Sequence, residues 1–146
     1  MLEQILVAGL LTLVTVAIHG GCTAGTVRLL SKVHAGHWAM RSLVRKVAMI
    51  ATLVMVMLGA SLLEAWLWSL AYLSVGAIEG AEQALYFSIV TFTTLGYGDV
   101  VLAEGWRLLG SLQAAVGIVV FGWSTALVFA AIQRAIVLPG KTGGHS

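Results

Sequence analysis

Three long apolar stretches, at 5–27, 47–72 and 108–137, dominate the chain, and a shorter one runs over 82–93. A helix needs about 20 apolar residues to cross a bilayer, so the first three predict spanning helices. The fourth is too short to span. It predicts a half-helix that enters the membrane and returns, which is tolerated at that depth only where protein surrounds the irregular backbone. The polar, glycine-containing segment Thr93-Thr94-Leu95-Gly96-Tyr97-Gly98-Asp99 follows it directly. The expected order is therefore helix, helix, half-helix, loop, helix.

Composition strengthens this reading. With 60% hydrophobic residues, 10% charged residues and one proline in 146, the chain is no ordinary soluble domain. Charge placement then predicts orientation. Arg28, Lys32, Arg41, Arg45 and Lys46 cluster between the first two spans, and Arg134 and Lys141 lie at or after the end of the third. The positive-inside rule makes those regions cytoplasmic. Glu3, Glu79, Glu82, Asp99 and Glu104 then face outward with Arg107, the N-terminus lies outside and the C-terminus inside.

The net charge of +2 does not indicate nucleic-acid binding. The basic loop is short and lacks interleaved aromatics, and topology plus attraction to anionic lipid headgroups accounts for it. Met1-Leu2-Glu3 is no positive leader of a signal peptide. The lone Cys22, on an apolar helix, is assigned to packing. No nucleophile, base and orienting acid stand out, so the chain is not expected to be an enzyme.

The 93–99 segment carries the chemistry. Successive carbonyls of an extended strand point to opposite sides, so aiming several at one axis requires alternate residues in left-handed dihedrals. Gly96 and Gly98 adopt these at little cost. The carbonyls of Thr94, Leu95, Gly96 and Tyr97, with the Thr94 hydroxyl at the inner end, then form rungs able to replace a cation's hydration shell. Leu95 supplies only its backbone. One chain provides one strand of such a cage, so the mechanism implies four copies around an axis.

This segment resembles the filter of the potassium channel superfamily, usually Thr-Val-Gly-Tyr-Gly-Asp, and the resemblance covers about the C-terminal two thirds of the chain. It implies an all-α membrane protein: three transmembrane helices plus a re-entrant pore helix and selectivity-filter loop, assembled as a tetramer around a central pore. The implied division is an extra N-terminal helix and basic loop over 1–46, a pore domain over 47–138 and a short tail over 139–146. The implied function is passive, potassium-selective conduction, with potassium ions held at Thr94, Leu95, Gly96 and Tyr97. A poorly selective cation pore, and a nonconducting subunit that associates with other channels, are the alternatives. The expected location is the plasma or inner cell membrane.

The resemblance assigns Thr93, Gly98, Asp99, Tyr86, Phe87 and Val90 to filter support. Tyr86 and Phe87 stand where the family usually has two tryptophans, the first of which donates to the aspartate ending the filter; the Tyr86 hydroxyl is expected to do the same for Asp99. Val90 replaces a glutamate found in some bacterial relatives, so slow filter inactivation is expected to differ. Gly117 falls at the family's hinge glycine, with close packing against the pore helix as the rival reading. Thr125, Phe129 and Gln133, spaced i, i+4 and i+8, share one helix face assigned to the gate; where that face lines the axis, four Phe129 rings are expected to form a hydrophobic constriction. Trp123 is expected to face lipid or a neighbouring subunit.

The remaining polar residues leave alternatives open. Glu64, placed near the outer edge of the hydrocarbon core, is expected to snorkel or be protonated, or to bond the back of the pore helix or an adjacent subunit. Trp66 and Trp68 fit an interfacial aromatic belt. Gly21 and Gly25, in GxxxG spacing, predict docking of another helix. His19 is read as a pH sensor or as a neutral residue bonded to a neighbouring helix. His34 and His37 do not suggest a metal site. No helix repeats arginine at every third position, so no voltage sensor is expected. No nucleotide- or calcium-sensing domain is expected from the short tail over 139–146, and Gly140-Lys141-Thr142 lacks the first glycine of a phosphate-binding loop.

Overall fold

The computed structural model describes residues 1–34 and 42–134, with backbone alone for 30–34. Four helices appear in the expected order: α1 (Leu2–His34), α2 (Leu43–Ser74), α3 (Ala81–Phe92) and α4 (Arg107–Ile132). The single proline, Pro139, interrupts none of them. Three are long and apolar enough to cross a membrane, so the chain is a multi-pass membrane protein. The short α3, with 12 residues, rises about 18 Å and stays within the bundle.

The helices run beyond the apolar stretches. Arg28 and Lys32, expected in a loop, occupy the last turns of α1, and Arg45 and Lys46 lie in the first turn of α2. A charge marks where a helix meets water, not where its hydrogen bonds end. Expectations concerning His37, Arg41 and residues 135–146 fall outside the described residues.

α2 ends because the chain can turn left-handed at Gly76, whose φ is 67°. The Gly76 amide donates to Leu73 O at 3.1 Å and the Ala77 amide to Tyr72 O at 2.9 Å, closing the last carbonyls in a Schellman arrangement. Gly80, at φ 93°, then redirects the backbone into α3. Glu82 in the first turn of α3 complements the positive end of its dipole.

The core lies where α3 is wedged between α2 and α4, around Trp68, Tyr72, Ala84, Phe92, Leu109 and Val120. Much of the remaining apolar surface is exposed on the single chain, including Leu10, Leu13, Met55, Leu62, Ile118 and Val119. Helices this apolar on their outer faces require lipid or further protein around them.

α1 packs against both α2 and α4. Its buried positions are Ala8, Thr15, His19 and Thr26, spaced seven, four and seven apart as along a coiled-coil seam. The Gln4 side-chain amide donates to the Gly105 carbonyl, so the start of α1 stands level with the start of α4. Below it, Trp68 Nε1 donates to Thr15 Oγ1 at 3.1 Å.

Candidate functional site

The 93–99 segment hangs from the C-terminal end of α3. The Thr94 amide donates to Thr91 O at 2.9 Å, and the amides of Leu95 and Gly96 both donate to Val90 O, at 2.9 and 3.2 Å. These bonds satisfy carbonyls that the last helical turn leaves open. Thr93 Oγ1 folds back onto Ile89 O at 2.8 Å. The backbone then alternates: φ is 61° at Thr94, 56° at Gly96 and 80° at Gly98. Thr94 joins the two glycines in the left-handed region, at a cost of about 1–2 kcal/mol for a residue with a Cβ.

Every residue from 93 to 99 is exposed on the single chain, Leu95 at 56% and Tyr97 at 67%. At the C-terminal end of the segment, Tyr86 Oη donates to Asp99 Oδ2 at 2.7 Å, the bond anticipated from the sequence. That bond is the main cause holding the Asp99 carboxyl below the usual aspartate range, and it raises the Tyr86 phenol. Phe87 points inward instead, edge-on to Tyr72 with ring centroids 5.2 Å apart.

Behind α3 lies a buried polar ladder that sequence reasoning missed. Tyr72 Oη donates to Gln113 Oε1 at 2.6 Å, and Gln113 Nε2 donates to Ser88 Oγ at 2.7 Å. Ser88 Oγ donates in turn to Ala65 O at 2.5 Å. Tyr72, Ser88 and Gln113 are fully buried, so α2, α3 and α4 are joined by bonds with no water to replace them. A lone glutamine within an apolar span was the available signal.

α4 meets α3 through two glycines. A Cβ at Gly110 would sit 3.2 Å from Phe87 Cζ, and one at Gly117 would sit 2.0 Å from the Phe92 carbonyl oxygen. Close approach to the end of α3 therefore accounts for Gly117, the rival to the hinge reading. Thr125 and Phe129 lie lower on α4, beside a cavity of about 430 Å³ that Met57, Ser61, Phe121 and Ser124 also line. Phe129 is 61% exposed. Gln133 continues the chain just past α4.

Several expectations for the first two spans are corrected. Glu64 neither snorkels nor bonds α3: it is fully buried, with Oε1 3.1 Å from His19 Nδ1. His19 Nε2 lies 3.0 Å from Ser124 Oγ, so one histidine joins α1 to both neighbours. This serine–histidine–carboxylate chain is also a constellation that sequence reading did not find. Trp68 is buried against Thr15 rather than in an interfacial belt, whereas Trp66 is exposed. Trp123, on α4, is 37% exposed, which leaves the side expected to face lipid or a neighbouring subunit open, and it also lies edge-on to His19, with centroids 5.5 Å apart and its ring abutting Gly20. A Cβ at Gly21 or Gly25 would meet nothing within 4 Å among the described residues; α1 docks on α2 and α4 through the adjoining face.

The Ion channel family matches residues 49–134, which span α2, α3, the 93–99 segment and α4. The voltage-gated potassium channel Kch of Escherichia coli (strain K12) is 42% identical over 67 residues. That match covers 43% of this chain and only 16% of the Escherichia coli protein. No solved structure matches.

Proposed function

Because the chain belongs to the ion channel family and is not an enzyme, we propose that it assembles as a homotetramer and conducts potassium ions passively and selectively across the membrane. The observation that carries this reading is the alternation of left-handed dihedrals at Thr94, Gly96 and Gly98 in a segment otherwise exposed on the single chain. Alternation turns the carbonyls of Thr94, Leu95, Gly96 and Tyr97 to one side. Four copies would surround an ion with these oxygens, offering in a fixed array what its water shell offers in solution. The C-terminal ends of four α3 helices would add partial negative charge beneath them.

The similarity to a protein named as a potassium channel supports the choice of ion. So does the Tyr86–Asp99 bond, which braces the outer end of the filter despite the altered aromatic pair. The orientation with the filter outside and the basic residues on the cytoplasmic side, near anionic lipid headgroups, rests on the positive-inside rule. A gate at Thr125, Phe129 and Gln133 belongs to the same proposal.

The test is a reversal potential. The purified chain in a planar bilayer, with potassium on one side and sodium on the other, should reverse near the potassium equilibrium value, and a Gly96→Ala variant should lose that selectivity. Robust current reversing near zero would replace the reading with a nonselective cation pore. No current from the purified chain would favour a nonconducting subunit.

A further inference from the structure

His19, Glu64 and Ser124 form a polar cluster on three different helices at a depth where nothing else polar is needed. His19 and Glu64 are both fully buried. Glu64 Oε1 faces His19 Nδ1 at 3.1 Å, His19 Nε2 faces Ser124 Oγ at 3.0 Å, and Glu64 Oε2 has no hydrogen-bond partner. A structural ion pair would use both carboxylate oxygens. An orphaned, fully buried carboxylate oxygen instead marks a place for one more hydrogen.

The charge count points the same way. Glutamate beside neutral histidine leaves one negative charge buried, and among the described residues no other basic group lies at its depth. On α1, Arg28 is about 14 Å further along the axis and Glu3 about 24 Å back. On α4, Arg134 and Arg107 are about 15 and 26 Å away, and on α2 Lys46 is about 27 Å away. The titratable groups nearer by are Cys22, one turn along α1, and Tyr72, about 12 Å along α2 and committed to Gln113. α3 meets α2 through the apolar Phe87 and the uncharged Ser88, which bonds Ala65 O. One added proton makes the cluster neutral, as a burial site without counter-charge requires.

We propose that His19 and Glu64 bind one exchangeable proton between α1 and the rest of the bundle, and that Ser124 passes the state of this site to α4. With the proton on Glu64 Oε2, His19 Nδ1–H donates to Oε1 and the Ser124 hydroxyl donates to Nε2. With the proton on His19, Nε2–H donates to Ser124 Oγ, and the serine hydrogen turns to a carbonyl one turn back on α4, a bond that bends helices. With no proton, the buried negative charge favours separation of α1 from α4 and entry of water. Ser124 also lines the cavity between α2 and α4, so it is the point where the cluster reaches the surface of the bundle.

The site stands independently of conduction; its effect on flux rests on the proposed function. The full chain is purified into lipid vesicles and titrated by infrared spectroscopy for a protonated carboxyl and by nitrogen NMR for the His19 imidazolium, with Glu64→Gln and His19→Gln assigning the signals. One of the two signals is expected at neutral pH, disappearing as pH rises. An ionised Glu64 beside a neutral His19 at neutral pH overturns the site, whether or not the chain conducts. Potassium flux across the same titration is expected to change about five-fold, the scale set by one hydrogen bond. Ser124→Ala keeps the pair and should flatten that dependence, whereas an unchanged dependence overturns the relay. If no variant conducts, the conduction proposal falls and the proton site is judged on the spectra alone.

Discussion

Replacing Gly117 by alanine tests how α4 supports α3. The added Cβ would stand 2.0 Å from the Phe92 oxygen and 2.9 Å from its carbonyl carbon. Atoms in folded proteins stay at least about 3 Å apart in such contacts, so the end of α3 must retreat by about 1 Å. The obstacle is backbone and cannot rotate away. Overpacking of this kind costs about 1–3 kcal/mol, offset by about 1 kcal/mol from alanine's better helix propensity. The net expectation is a loss of about 1 kcal/mol in stability. The larger consequence is displacement of the Val90 and Thr91 carbonyls that hold the amides of Thr94, Leu95 and Gly96. Thermal unfolding in detergent and the potassium-to-sodium permeability ratio are measured together, with Gly110→Ala as the control. A Cβ at Gly110 meets only the side-chain tips of Leu102 and Phe87, which can yield. Gly117→Ala should lower both stability and selectivity, and Gly110→Ala should do so much less. A hinge role alone predicts a stabilised protein with reduced opening and intact selectivity. That outcome, or equal effects at the two glycines, would refute the packing argument.

Other substitutions probe the remaining contacts. Gln113→Leu leaves the Tyr72 hydroxyl buried without its acceptor and should cost about 1–3 kcal/mol; a thermal-unfolding cycle with Tyr72→Phe that shows simple additivity would contradict the bond. Tyr86→Phe removes the bond that holds the Asp99 carboxyl low, so Asp99 should titrate closer to its ordinary value. Because the depressed group stabilises the fold above its free value and loses that contribution as pH falls through the folded one, the variant's filter should fail at a higher pH than wild type. Coincident acid limbs in open lifetime against external pH would sink this. Trp68→Phe deletes the donor to Thr15 and should loosen α1 by about 1 kcal/mol, seen as faster amide exchange along α1; unchanged exchange there would show that the bond does not hold the helix.

The parts of the fold visible in the sequence are those governed by local rules. Apolar run length marked the spans because the bilayer sets that length, and Gly96 and Gly98 marked the turns of the 93–99 segment because its alternating backbone needs their positive φ. Tyr86 could be paired with Asp99 because the resemblance fixed their relation in space. What remained hidden depended on which helix faces which. Glu64 was placed at a depth by counting residues, but nothing in the count named His19, forty-five residues earlier, as its partner. On α1 the small-residue spacing of Gly21 and Gly25 drew attention away from Thr15, His19 and Thr23, whose i, i+4 spacing marks the docked face. A hydroxyl or imidazole in an apolar helix looks merely tolerated until its acceptor is known. Thr23, for example, reaches Met57 Sδ at 3.9 Å.

The same blindness hid the organisation of α4. Gly110, Gln113, Gly117, Val120 and Ser124 follow at intervals of three and four, so they form one stripe along the helix. A glycine, an amide, a glycine, an aliphatic and a hydroxyl do not register as an apolar face. The upper part of that stripe nevertheless receives Phe87, Ser88 and the Phe92 carbonyl from α3, and its lower end meets His19. α4 is stiff over such distances, being continuous from Arg107 to Ile132. A rotation that releases Ser124 from His19 therefore turns Gln113 and Gly117 against the pore helix as well. The polar contacts at the two ends resist rotation together, so α1 belongs to the frame that holds α3 and, on the proposed function, the filter that hangs from it. Loss of the lower contact should consequently be felt at the upper one, as a change in filter behaviour from a substitution about 16 Å along the helix from Gln113.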